Sequence, residues 1–281
     1  MTTALSFARA GAPSLAYAIH RPAIPVVGSV LLSHGYAEHS GRYDEVVAAL
    51  VERGLLVATY DLRGHGRSAG PRGHVLQFSE YLDDVQALTK MLGEDAAFRA
   101  AGPPVLLGHS LGGLISFHAA LADPGAYRAL VLSSPFFGLA LAVPAAKRFA
   151  GQVLSRIVPG FGLPSGLRGA DVTQDPERAR AYDADPMLIT KATARWFTEA
   201  LAAQATAFAR APSMRLPIAI FAGGADRVAS TPATEEIFAR IGSSSKRLEV
   251  LPGQFHEIFN DPDRARWIAL AADAALGFAK A

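Results

Sequence analysis

The sharpest chemical signal in the chain is Gly108-His109-Ser110-Leu111-Gly112-Gly113, set between an apolar strand-like run and a helical stretch. A serine on a tight strand-to-helix turn leaves little room for side chains two positions away on either side, so both flanks must be glycine. Gly108 and Gly112 supply that. The turn also puts Ser110 at a helix amino terminus, where free N–H groups and the helix dipole favour the negative charge that develops on attack.

A serine hydroxyl is a weak nucleophile until a base takes its proton, and the base needs an acid to hold its tautomer. For a nucleophile on such a turn the chain order is Ser, then Asp or Glu, then His. Only His118 and His256 follow Ser110, and His118 lies on the helix directly after it. His256, in Leu251-Pro252-Gly253-Gln254-Phe255-His256-Glu257 just beyond the last strand, is the expected base. Phe221-Ala222-Gly223-Gly224-Ala225-Asp226 places Asp226 in the turn after the preceding strand and makes it the expected acid. Asp61 follows an earlier strand, and Asp171, Asp175, Asp183 and Asp185 fall in a helical insertion, so they compete poorly. The oxyanion donors should be the backbone N–H of Leu111 and, from the loop ending an early strand at His34-Gly35-Tyr36, that of Tyr36. His109 is expected to point away from its neighbour, and His34 and His65 to brace loops. No His/Asp/Glu grouping has metal-ligand spacing, so neither a metal nor another cofactor is expected.

Positioning these residues requires strands that deliver loops to one edge. Short β-type runs alternate with amphipathic stretches, which predicts βα units on a mainly parallel sheet. A hairpin opens the chain around Gly11; strands are expected at 26–32, 55–60, 105–107, 129–132, 217–222 and 247–251. Helices are expected at 43–53, 78–92, 111–122, 231–241 and 263–280. Between 136 and 214 the alternation stops and the pattern is helical with many Pro and Gly. The expected architecture is an α/β core of residues 1–135 and 214–281 with an inserted unit at 136–213.

Composition narrows the functional classes. The 281 residues hold 27 Lys plus Arg against 25 Asp plus Glu, no cysteine, and 50% hydrophobic residues. No basic run tracks phosphates, so nucleic acid is an unexpected partner. A disulfide framework, thiolate metal site or cysteine nucleophile is excluded. Residues 1–20 lack the basic start and continuous apolar stretch of a secretory signal, which predicts a soluble cytoplasmic protein. Residues 129–146 carry no charge over 18 positions, close to a membrane span, but Ser133, Ser134, Pro135 and Pro144 interrupt them. A strand end entering a new segment is expected there instead.

With these motifs in hand, the chain resembles the monoacylglycerol lipases and lysophospholipases of the serine α/β-hydrolase superfamily. The segments that carry the resemblance are His34 through Tyr43, Asp61 through Ser68, the Ser110 turn, Tyr182-Asp183-Ala184-Asp185-Pro186, and Gly253 through Glu257. It implies the α/β-hydrolase fold, with residues 136–213 as a helical cap. It also implies a serine carboxylic ester hydrolase cleaving single-acyl-chain lipid esters, monoacylglycerol first and lysophospholipid or general carboxylester second. By the same resemblance Glu38, Arg42 and Tyr182 match positions near the polar head of the substrate. Two departures stand out: Phe259 where a second histidine is frequent, and Ala37 where glycine is common. Residues 136–168 hold Lys147, Arg148, Arg156 and Arg168 and no acid, a local +4, which suits peripheral contact with a membrane or micelle. A perhydrolase or haloperoxidase could use the same triad and is the more remote alternative.

Overall fold

The computed structural model describes residues 5–140 and 145–281, with side chains in the second stretch described from Phe149 onward. Pro144 and the side chains of Lys147 and Arg148, which bear on the expected cap, lie outside the described residues.

The chain opens on an antiparallel hairpin, β1 (Leu5–Arg9) and β2 (Ala12–His20). It continues through β3 (Gly28–Ser33), α1 (Asp44–Glu52), β4 (Leu55–Tyr60), α2 (Ser79–Leu92), α3 (Ala96–Ala101), β5 (Val105–His109), α4 (Leu111–Ala122) and β6 (Ala129–Ser133). An excursion follows: α5 (Ala145–Ile157), β7 (Gly162–Pro164), α6 (Gly169–Val172), α7 (Pro176–Ala184), β8 (Lys191–Thr193) and α8 (Ala194–Arg210). The chain then completes the sheet with β9 (Ile218–Gly223), α9 (Thr231–Arg240), β10 (Lys246–Leu251) and α10 (Arg264–Lys280). The eight-stranded sheet runs β1-β2-β4-β3-β5-β6-β9-β10, and every pairing from β4 to β10 is parallel.

Alternation along the central strands decides which side chain meets which layer. Leu31, Leu106 and Leu130 face Val85, Leu88, Leu114 and Phe117 of α2 and α4. Val30, Val105 and Val131 face Val46 and Leu50 of α1 and Trp267 and Ala271 of α10. Both faces are covered, so the central strands are buried along their whole length and read as continuous apolar runs rather than as alternating ones. Because the core strands are parallel, the loops after β3, β5, β6, β9 and β10 leave one edge of the sheet together, where ligands of open α/β folds bind.

The excursion differs from the expected all-helical stretch by a two-stranded sheet, β7 paired antiparallel with β8. Three-residue strands are too short to show a hydrophobic period. The six-residue α3 was likewise unforeseen; its signal is local, Asp95 accepting the N–H groups of Ala97 and Phe98 as an N-cap. Helix α8 returns to the core, with Ala203 and Ala207 in the same apolar cluster as Phe117 and Leu121. The charge-free stretch begins as β6 and turns at Ser134, whose φ is 39°. Among the described residues no helix is long and apolar enough to cross a membrane.

Candidate active site

The turn between β5 and α4 holds Ser110 at φ 51° and ψ −117°, a left-handed conformation that a non-glycine residue adopts only under constraint. The constraints are visible: Ser110 N–H bonds Ser133 carbonyl oxygen, and the Ser110 carbonyl accepts from Leu114 and Phe136. A Cβ on Gly112 would overlap the Ser33 and His34 carbonyl oxygens, and one on Gly108 would press into the Gly112 carbonyl. The glycine pattern thus reflects how closely the first turn of α4 rides over β3.

Loops from three strand ends meet at this turn. The Ser110 hydroxyl lies 2.9 Å from His256 Nε2, and His256 Nδ1 lies 2.7 Å from Asp226 Oδ2. Asp226 Oδ1 accepts the N–H groups of Val228 and Ala229 at 2.8 and 2.9 Å, which sets the carboxylate's orientation. Burial alone would lower the His256 pKa, but the charge of and hydrogen bond to Asp226, with Glu257 and Glu38, outweigh it and hold the imidazole above its ordinary value. Burial pushes the Asp226 carboxyl up, and the charge and hydrogen bond of His256 with the two backbone N–H bonds bring it below the usual carboxylate value.

The loop bearing His256 is anchored by Asp261, a fully buried carboxylate that accepts from Phe255 N–H at 2.6 Å, Gln174 N–H at 2.7 Å and the Thr173 hydroxyl at 2.9 Å. Sequence reasoning missed Asp261. Its local signal is Asn260-Asp261-Pro262, a turn-forming run shortly after the histidine.

The N–H of Leu111, first residue of α4, and that of Tyr36 have no acceptor among the described residues. A Cβ on Gly35 would sit 3.1 Å from Ser110 Cβ, so the loop carrying Tyr36 passes against the serine. That loop is pinned by Glu38, whose Oε1 accepts from Gly35 N–H and from the Tyr43 hydroxyl, and Ala37 within it has a φ of 69°. Glycine in place of Ala37 would suit this backbone.

The remaining histidines fall as the spacing suggests, with one refinement. His34 accepts the Leu62 N–H on Nε2 and bonds the Gly35 carbonyl through Nδ1, tying two strand-end loops together. His65 Nδ1 meets the Arg63 carbonyl, and His118 Nε2 meets Ala203 carbonyl in α8. His109 bonds Ser133 Oγ rather than Ser110, yet its ring stays 4.8 Å from that of His256 and lines the same cavity. Burial, then the nearby His256, pushes the His109 imidazole down to about 3, so it is neutral at physiological pH.

The cavity at Ser110 has two unlike walls. Tyr36, Phe136 and Trp196 form an aromatic side, with Tyr36 stacked on Trp196 at 3.7 Å between ring centroids. Glu38, Tyr182 and Glu257 form a polar side. Of the three residues placed near the head group by resemblance, Glu38 and Tyr182 line the cavity, and Arg42 lies behind it. Arg42 reaches Glu257 Oε2 at 2.6 Å and Glu38 Oε2 at 3.4 Å, and sits 4.9 Å over the Tyr182 ring. Among the described residues no group of three or more His, Asp or Glu is arranged to hold a metal ion.

A serine, a histidine and an aspartate in hydrogen-bond contact at the carboxyl edge of a parallel sheet is an arrangement found in serine hydrolases, and comparison with known proteins fits it. Residues 25–263 match the family described as serine aminopeptidase, S33. The chain belongs to this serine hydrolase family. The hydrolase is 35% identical over 260 residues to the monoacylglycerol lipase of Mycolicibacterium smegmatis, covering 92% of this chain and 91% of that one. It is 30% identical to phospholipase YtpA of Bacillus subtilis, covering 85% of this chain and 91% of that one. The crystal structure of Paleococcus ferrophilus monoacylglycerol lipase superposes with a TM-score of 0.86 at 28% identity, covering 94% of this chain and 99% of that one. The fold is therefore that of the α/β-hydrolases.

Proposed function

We propose that the protein hydrolyses single-acyl-chain lipid esters, monoacylglycerol first, through an acyl-enzyme intermediate. The observation that carries this reading is the unbroken relay from Ser110 through His256 to Asp226, opening on a cavity with one aromatic and one polar wall. Such a cavity suits an ester with an apolar chain on one side of the carbonyl and a hydroxylated alcohol on the other.

In the proposed reaction Ser110 Oγ attacks the ester carbonyl while its proton passes to His256 Nε2, and Asp226 stabilises the imidazolium. The oxyanion receives the N–H groups of Leu111 and Tyr36; losing one such donor typically costs about 100- to 1000-fold in rate. Collapse breaks the carbonyl–alcohol bond as His256 returns the proton to the leaving alcohol oxygen. Water, deprotonated by His256, then releases the fatty acid and restores Ser110.

Residues 136–213 act as a cap in this reading, because Phe136, Leu167, Val172, Tyr182 and Trp196 come from that segment and line the cavity. Its outer limb supports contact with a lipid surface. Phe149, Val153 and Ile157 recur every four residues along α5 and are exposed, and Val158, Phe161 and Leu163 continue the patch. Arg156 and Arg168 in the same segment are exposed as well. A phospholipase among the relatives makes lysophospholipid esters the second reading.

Fatty-acid release from a panel of monoacylglycerols, lysophospholipids and short synthetic esters tests the proposal. Monoacylglycerol should be cleaved fastest, and Ser110→Ala should abolish turnover. A Ser110→Ala protein with near-normal hydrolysis would reject the mechanism, and cleavage restricted to short synthetic esters would reject the lipid substrate.

A further inference from the structure

The polar wall holds more carboxylate than its cation balances, and the excess sits beside the reacting centre. Glu38 and Glu257 both line the cavity with Ser110 and His256, and both are buried. Among the described residues Arg42 is the guanidinium paired with them, and it stands outside the cavity wall. Two carboxylates against one guanidinium leave one negative charge. Glu257 spends one oxygen on the protein, Oε2 accepting from Arg42 and from Asn260 Nδ2, whereas Glu38 commits both, Oε1 to Gly35 N–H and the Tyr43 hydroxyl and Oε2 to the ion pair with Arg42. The remaining oxygen, Glu257 Oε1, makes no hydrogen bond with a described residue, and unlike Ser116 Oγ or Trp196 Nε1 it is not sealed inside the protein.

We propose that Glu257 is a specificity-determining residue whose free carboxylate oxygen, on a wall with two carboxylates for one guanidinium, makes a net negative, hydrogen-bond-accepting surface that admits uncharged polyol heads and rejects anionic, phosphate-bearing ones. The proposal deepens, and rests on, the ester-hydrolase reading above. Alcohol hydroxyls donate to free carboxylate oxygens; a phosphate lacks donors to match and brings like charge into a poorly screened site, where juxtaposition is strongly unfavourable. Glu38 is the lesser contributor because it is committed to the turn at Gly35 and Tyr43. Glu257 is the residue directly after His256, and its backbone N–H bonds the Val172 carbonyl in α6, which fixes it between core and excursion. A residue that only braced Arg42 would need one oxygen and no place on the cavity wall.

The test compares kcat/KM for dodecanoyl glycerol, dodecanoyl glycerol phosphate and dodecanoyl choline in wild type, Glu257→Gln and Glu257→Asp. Wild type should prefer the glycerol ester over its phosphate by about 100-fold, and Glu257→Gln, which removes the charge at constant shape, should cut that preference by about tenfold. Glu257→Asp keeps the charge and should keep the preference, while the choline ester should lose ground in Glu257→Gln alone. A Glu257→Gln preference within about twofold of wild type overturns the proposal, a margin well inside the expected charge effect. If Glu257→Gln turns over nothing, wild-type inhibition by dodecyl glycerol ether and its phosphate decides: the phosphate should inhibit about tenfold more weakly or worse, and equal inhibition overturns the proposal. Wild type that cleaves none of the three esters defeats the ester-hydrolase reading instead, and the two ethers still report on the wall.

Discussion

Replacing Asp226 by asparagine removes a charge at constant volume, and the structure dictates what the new amide must do. Oδ1 of Asp226 serves the N–H groups of Val228 and Ala229, while Oδ2 serves His256 Nδ1–H. The single carbonyl oxygen of asparagine can fill only one of these duties. Turned to the backbone, it presents its NH2 to Nδ1, which must then accept; the imidazole proton moves to Nε2, facing Ser110, and the ring can no longer take the serine proton. Turned the other way, it leaves two part-buried N–H groups against an NH2, at about 1–3 kcal/mol each. The disabled tautomer is thus favoured by about 2–6 kcal/mol, a loss on the order of 30- to 20,000-fold in kcat/KM. The assay is fatty-acid release across about pH 5 to 9, with a thermal melt to show that the variant is folded. With neutral His256 as the base of the proposed reaction, wild-type activity should rise with pH through a midpoint above the ordinary histidine value of about 6.5. In Asp226→Asn the raising influence of the carboxylate is gone and burial, which lowers the pKa, prevails; the midpoint of any residual activity should move down. A folded Asp226→Asn protein keeping more than about a tenth of wild-type kcat/KM at pH 8 would refute the tautomer argument.

Wild type should float with anionic vesicles, and Phe149→Ser with Ile157→Ser should weaken binding by about tenfold per residue, the worth of withdrawing one large apolar side chain from lipid; no flotation of wild type defeats the docking surface. Arg63 is buried with Nε and Nη2 at 2.6 and 2.7 Å from the two oxygens of buried Asp84, so Arg63→Met should destabilise by about 3–5 kcal/mol through the loss of these two charge-assisted hydrogen bonds, with Arg9 left as the partner of Asp84. Calorimetry should show a fall in Tm of roughly 6–20 °C, and an unchanged Tm would contradict this estimate.

How much was legible in the chain depended on range. The strand at Leu55–Tyr60 and the helix at Leu111–Ala122 have the bounds expected from their apolar pattern, because each buries a long uniform stretch. The strands β7 and β8 escaped notice because each is three residues long and finds its hydrogen-bond partners only across the excursion. His109 shows a subtler limit. Its neighbour relation to Ser110 correctly argued that it would not bond the hydroxyl, but adjacency along the chain is silent about a ring arriving from the loop after β10.

By itself the sequence determined the chemistry on offer. The glycines flanking Ser110, and an aspartate and a histidine placed after successive strands, are local patterns whose physical reasons, steric room and strand exits, act within a few residues. Tertiary structure alone decided what surrounds that chemistry. Arg42 and Glu257 are 215 positions apart and meet at 2.6 Å, Asp261 anchors the His256 loop against Thr173 of the excursion, and Glu257 acquires a face on the cavity only when the loop after β10 closes over Ser110. Charge balance in a buried site is a sum over side chains delivered by packing, and no window of sequence contains all of them.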